Sequence, residues 1–142
     1  SLDLASYNVV EDNLDFLKEY VKNNVDIVFA NEEEAKAFTG KEPEDALNEL
    51  AEQSEIAVVK VGKNGSLVKS NNAIFKIAPI KANPVDTTGA GDLYASGFLY
   101  GLANKLSLEE CGRIGSVCAG KVIEVIGSKM SDATWNEIRS LL

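Results

Sequence analysis

The sequence predicts an α/β fold with a mainly parallel sheet. Two short apolar runs, 25–30 (VDIVFA) and 56–61 (IAVVKV), are bounded by polar residues, the pattern of strands buried on both faces. Segments of helical period alternate with them. Between 56 and 78 the turn residues Gly62–Gly65 and Asn71–Asn72 bring strands close together and add a β-hairpin.

Each element has its own reason. Residues 1–6 (SLDLAS) alternate as a strand does, and Glu11–Asn23 place Leu14, Leu17, Tyr20 and Val21 at helical spacing. After the strand at 25–30, Asn31 is followed by Glu32, Glu33 and Glu34, acidic residues that suit the first turn of a short helix ending near Gly40. Pro43 opens another helix with Ala46, Leu47, Leu50 and Ala51 on one face. Strands follow at 56–61, 66–70 and 73–78. A proline-containing loop spans 79–86, and a Gly-rich stretch at 87–91 enters an apolar helix from about Asp92 to Ala103. Ser107 and Glu110 form a capping box for a helix running to about Val125 and stopping at Gly127, and a last helix covers about Asp132–Leu141.

Composition narrows the chemistry. The 142 residues carry 14 Lys plus Arg against 22 Asp plus Glu, a net charge of -8. That surface repels phosphate backbones, so nucleic acid is not an expected partner, although backbone amides can still hold a small phosphate. With no histidine, a His-based triad, a His general base and a His-ligated zinc are all absent. Cys111 and Cys118, seven residues apart on one helix, read as inert packing thiols in a reducing compartment. No apolar run of membrane-spanning length and no signal-peptide pattern occurs, so neither a membrane partner nor export is expected; the reading is cytoplasmic.

The stretch Asn83-Pro84-Val85-Asp86-Thr87-Thr88-Gly89-Ala90-Gly91-Asp92 holds the chemistry. Small residues at 87–91 let a backbone approach a ligand closely. Amides at the start of the following helix, aided by its dipole, face an anion. Asp92 at the mouth of that turn can accept a proton from an attacking hydroxyl. The same string can also be a plain turn with a capping Asp, and spacing alone leaves both readings open. It is neither G-x-x-x-x-G-K-[ST] nor G-x-G-x-x-G.

The string resembles the C-terminal signature of the ribokinase (PfkB) family of carbohydrate and nucleoside kinases, D-T-x-G-A-G-D, with all its fixed residues present at 86–92. Asn31-Glu32-Glu33-Glu34 after VDIVFA is similar to the family's N-x-x-E motif. Val59-Lys60-Val61-Gly62-Lys63-Asn64-Gly65 is similar to its V-x-x-G-x-x-G hairpin. The resemblance implies a three-layer α/β/α ribokinase-like fold, of which residues 1–142 are the C-terminal, nucleotide-binding and catalytic portion. It implies transfer of the γ-phosphoryl group of ATP to a hydroxyl of a sugar, with an adenosine-kinase-like nucleoside kinase or a catalytically silent ligand-binding relative as alternatives.

By that resemblance Asp92 is the catalytic base, and Gly89, Ala90 and Gly91, with the amide of Asp92, form the anion hole. Asn31 and Glu34 organise Mg2+ through water, Glu34 otherwise being a solvated first-turn residue. Lys60, Gly62, Gly65, Thr88 and Ser116 join Asn31, Gly89 and Gly91 along the nucleotide. Lys60 stands where Thr is frequent and either reaches phosphate or faces solvent. Ser116 stands where many members have Asn or His, and helix core is its other reading. Asp86 and the Thr88 carbonyl are the expected contacts of a monovalent cation, potassium. The acceptor residues and the lid, through which a homodimer would form, belong to an N-terminal half that this stretch does not contain. The isolated chain is therefore expected to turn over little or not at all.

Overall fold

The two apolar runs form neighbouring parallel strands in the computed structural model, which describes residues 1–141. In chain order the elements are β1 (Leu2–Asp3), α1 (Tyr7–Asp12), α2 (Leu14–Asn24), β2 (Ile27–Asn31), α3 (Glu32–Thr39), α4 (Pro43–Gln53), β3 (Ile56–Lys60), β4 (Ser66–Ser70), β5 (Ala73–Ile77), α5 (Ala90–Ala103), α6 (Leu108–Val122) and α7 (Asp132–Leu141). A 3-10 turn, Gly62–Asn64, separates β3 from β4. The sheet order is β1-β2-β3-β4-β5, with β1, β2 and β3 parallel and β4 antiparallel to β3. The chain divides into two compact units, Ser1–Lys76 and the residues from Ile77 onward.

The first unit is built on two-sided strands. Val28, Ala30, Ala57, Val59 and Leu67 point into a core closed by Val10, Val21, Ala35, Phe38, Ala46, Leu47 and Leu50 of the helices. The alternate residues Phe29, Val58 and Val68, in register with one another, are buried as well. Burial on both faces is why 27–31 and 56–60 read as continuous apolar runs rather than alternating ones. Each buried Val, Leu or Phe side chain contributes about 1.5–3 kcal/mol, so these strands are the stable frame behind whatever sits at their ends.

Two expectations for this unit need correction. The strand foreseen over 1–6 stops at Asp3: Ala5 takes a left-handed φ of 66°, its amide donates to Asp3 Oδ1 at 3.2 Å, and the chain turns away. The helix foreseen over 11–23 is two helices. Asn13, at φ -129°, leaves the helical region, and its side-chain amide donates to the Val9 carbonyl at 2.9 Å, a local bond that competes with the helical ladder. Elsewhere the punctuation acts as expected. Gly40 ends α3 at φ 74°, and Pro43 occupies the first turn of α4.

In the second unit α5 and α6 meet along glycines. A Cβ on Gly97 would lie 3.0 Å from the Ile114 carbonyl oxygen, one on Gly101 2.8 Å from Cys111 Sγ, and one on Gly115 2.8 Å from the Tyr94 carbonyl oxygen. The missing side chains let the two backbones approach each other. Cys111 and Cys118 are buried free thiols, and burial pushes both above the usual thiol range, which makes them poor nucleophiles. The capping box foreseen at Ser107 and Glu110 is present: the Glu110 amide donates to Ser107 Oγ at 3.3 Å and the Ser107 amide to Glu110 Oε2 at 2.9 Å. α6 ends at Val122 rather than near Val125. α5 begins at Ala90 rather than Asp92, because Gly89, at φ 79°, serves as its N-cap.

Candidate active site

Parallel strands release their chains at one edge, and in open α/β sheets that edge is where ligands gather. Here β1, β2 and β3 deliver Asp3, Asn31 and Lys60 to it, Asn31 and Lys60 directly opposite each other in register. Glu34 follows in the first turn of α3. The Asn31 amide donates to Glu34 Oε2 and the Asn31 side-chain NH2 to Glu34 Oε1, both at 2.8 Å; the Glu34 amide returns a bond to Asn31 Oδ1 at 2.8 Å. The two motif residues are thus the capping box of α3, and Glu34 is only 4% exposed, unlike the solvated first-turn Glu of its alternative reading. Burial raises the Glu34 carboxyl above its ordinary range. The Asn31 amide and Lys60 oppose that, while Asp3 and Glu33 add to it.

Lys60 neither extends into solvent nor stands unpaired. Its ammonium lies 2.7 Å from Asp3 Oδ2, with both side chains largely buried. Asp3 went unnoticed in the sequence, where it is one polar residue of a short alternating run. Beyond Lys60, the Gly62–Asn64 turn is closed by the Val61 amide on the Gly65 carbonyl at 2.8 Å. Gly62 and Gly65 both have positive φ, 51° and 91°, and a Cβ on Gly62 would meet open space.

The second unit carries the other group. Asp86 is a loop staple: Oδ1 accepts from the Thr88 amide at 2.9 Å and the Thr88 hydroxyl at 2.7 Å, and Oδ2 from the Gly127 amide at 2.8 Å. The Thr88 hydroxyl first, then the two amides, hold the Asp86 carboxyl below the usual carboxylate range. Next to it Gly89 is doubly required, because its φ is 79° and a Cβ there would come within 2.8 Å of Ser128 Cβ. The Ala90 amide, one of the expected anion donors, is engaged by the Thr87 carbonyl at 3.2 Å, and the Leu93 amide by the Gly89 carbonyl at 2.9 Å. Between these, Gly91 and Asp92 open α5 under a cap that supplies no side-chain hydrogen bond. Asp92 is exposed in that first turn. Ser116 is buried in the middle of α6.

The donors suit Mg2+ in one form. No group of three or more Cys, Asp or Glu side chains able to cage a metal occurs among the described residues. Each Glu34 oxygen accepts one bond and keeps a second lone pair. Mg2+ retains most of its waters and needs one or two carboxylates besides phosphate, so Asn31 and Glu34 fit a hydrated ion and not a stripped one.

Residues 5–135 match the family described as pfkB family carbohydrate kinase. An uncharacterized sugar kinase of Archaeoglobus fulgidus is 35% identical over 112 residues, 78% of this chain and 45% of that protein. A cytidine kinase of Thermococcus kodakarensis is 40% identical over 117 residues, 80% of this chain and 42% of that protein. Among solved structures, an adenosine kinase from Sinorhizobium meliloti superposes with a TM-score of 0.92 at 36% identity, covering 99% of this chain and 44% of that one. The ribokinase of Thermotoga maritima gives a TM-score of 0.76. The fold is ribokinase-like, and the chain spans less than half the length of the relatives named here.

Proposed function

We propose, since this chain belongs to the pfkB family of carbohydrate kinases, that it forms the nucleotide-binding and catalytic part of an enzyme that moves the γ-phosphoryl group of ATP to a hydroxyl of a sugar. The observation that carries this reading is the start of α5. A left-handed glycine, no capping side chain and an exposed carboxylate in the first turn put anion donors and a proton acceptor within three residues.

Asp92 accepts the proton of the attacking hydroxyl, and the amides of Gly91 and Asp92, with Gly89 shaping the approach, face the charge spread over the transferred phosphoryl oxygens. Phosphoryl transfer asks a protein mainly for positioning and charge stabilisation, which this short set supplies. Mg2+, when bound, neutralises phosphate charge, and Asn31 and Glu34 orient its waters. Gly62, Gly65 and Thr88 line the nucleotide; Ser116, buried in the middle of α6, fits its helix-core reading and is left out of that set. Lys60 is also left out of that set because its ammonium is on Asp3. Asp86 has three donors on its two oxygens, so a potassium ion near Thr88 would take most of its contacts from backbone carbonyls. The two unpaired, unreactive thiols suit the reducing cytoplasm.

A nucleoside acceptor is the second reading, favoured by the likeness to an adenosine kinase and a cytidine kinase. A panel of sugars and nucleosides offered to the whole protein with MgATP decides between them. Asp92→Asn in the whole protein should lower kcat about 10²–10⁴-fold while ATP still binds. Near-normal kcat rejects the base assignment, and absence of ATP binding by the unaltered protein rejects the function.

A further inference from the structure

Asp3 has two bonds with different consequences. Oδ1 accepts the Ala5 amide at 3.2 Å and fixes the exit from β1. Oδ2 accepts the Lys60 ammonium at 2.7 Å, across a sequence separation of 57 residues. To reach it, Lys60 leaves β3 and crosses the end of β2, since β2 lies between the two strands. The strand it crosses ends in Asn31, which is opposite Lys60 in register and holds both oxygens of Glu34. A long, flexible ammonium therefore sits beside a buried carboxylate and is tied to another one.

We propose that Asp3 is a positioning residue: it draws the Lys60 ammonium to the β1 side of the strand ends and so keeps it from pairing with Glu34. The proposal rests on the reading of Asn31 and Glu34 as the groups that meet hydrated Mg2+. With Asp3 in place the two carboxylates and one ammonium leave the strand ends net negative, which suits a divalent cation. Without Asp3, Lys60 is a poorly solvated charge lacking its partner, its side chain only 15% exposed. Leaving such a charge unpaired is costly, and Glu34 is the carboxylate next to its path. An ammonium on Glu34 would take the lone pairs and cancel the charge that the cation needs. Asp3 touches neither nucleotide nor metal in this scheme and acts only through Lys60.

The test is a double-mutant cycle in the whole protein, read by calorimetry as the gain in ATP affinity that Mg2+ produces. Asp3→Asn keeps an oxygen for the Ala5 amide and removes the hold on Lys60. It should reduce the Mg2+-dependent gain about 10–100-fold, the usual cost of losing a group that orients a metal ligand. Lys60→Met alone should leave the gain undiminished. Adding Lys60→Met to Asp3→Asn should restore most of the loss, because the ammonium that Asp3 restrains is gone. Thermal unfolding of each variant checks the fold independently.

A double variant as impaired as Asp3→Asn would show that Asp3 acts through the backbone, and the proposal falls. It falls equally if Asp3→Asn leaves the gain unchanged, or if Lys60→Met reduces it by itself. If the unaltered protein binds ATP with no response to Mg2+, the Mg2+ reading of Asn31 and Glu34 fails and takes this proposal with it. If the unaltered protein responds and only the cycle disagrees, that reading stands and the role of Asp3 alone is rejected.

Discussion

Gly115→Ala sets two familiar effects against each other. In a helix interior alanine is better than glycine by about 1 kcal/mol, so the change would stabilise an isolated α6. In the folded protein the new Cβ would lie 2.8 Å from the Tyr94 carbonyl oxygen and 3.1 Å from two carbons of its ring. The carbonyl belongs to the backbone of α5 and cannot rotate away, so the helices must separate by several tenths of an ångström. Overpacking of this kind costs about 1–3 kcal/mol, and against the propensity gain the net expectation is a loss of about 1 kcal/mol. Urea denaturation of Gly115→Ala measures it. The same shift acts on activity, because Tyr94 is two residues beyond Asp92 on the same helix. On the proposed role of Asp92 as base, its displacement should lower kcat more than it raises KM. A variant as stable as or more stable than the parent, with unchanged kcat, would show that the two backbones are not in the contact described and that propensity alone decides this position.

Three further outcomes follow from the loop and the strand ends. Gly89→Ala combines a left-handed φ with a 2.8 Å approach to Ser128 Cβ, and should cost about 1–2 kcal/mol in a denaturant titration together with a loss of ATP affinity. Asp86 has its carboxyl lowered in the folded state, so its stabilising contribution is complete above the ordinary Asp range and disappears as pH falls through its depressed value. Asp86→Asn should therefore flatten the acid side of the stability profile below about pH 4, leaving little pH dependence from that loop in thermal unfolding. Glu34 works in the opposite sense. Its carboxyl is raised by burial, so ionising it disfavours the folded state, and stability should decline as pH rises through the upper carboxylate range. A Glu34→Gln protein that retains this decline would assign it to another group.

Local signals in the sequence were strong where one residue type has one physical use. Gly40 and Pro43 punctuate α3 and α4, and Ser107 with Glu110 caps α6 as their spacing requires. Apolar runs found β2 and β3 because both faces of those strands are buried. The split at Asn13 was hidden because helical periodicity counts apolar residues and is blind to a side-chain amide that bonds to Val9 instead. The early start of α5 was hidden for a similar reason: Gly89 reads as one residue of a Gly-rich stretch until its positive φ shows it to be the cap. Among the candidate residues, Asn31 and Glu34 of the first unit and Asp86 and Asp92 of the second were all singled out by motif. Asp3 had no local signature, since its meaning arises from the order of three parallel strands that bring it within reach of Lys60.

The capping box at the start of α3 joins local folding to ligand occupancy. Asn31 and Glu34 close the first turn of that helix and are also the side chains assigned to the hydrated cation. The amides of Asn31 and Glu34 are therefore reporters as well as structural bonds. Their hydrogen-exchange rates measure how often the turn opens, and a cation that draws on the same carboxylate must change that opening frequency. Slower exchange with MgATP than with ATP alone would make this one helix turn a readout of metal arrival, observable without any phosphoryl transfer.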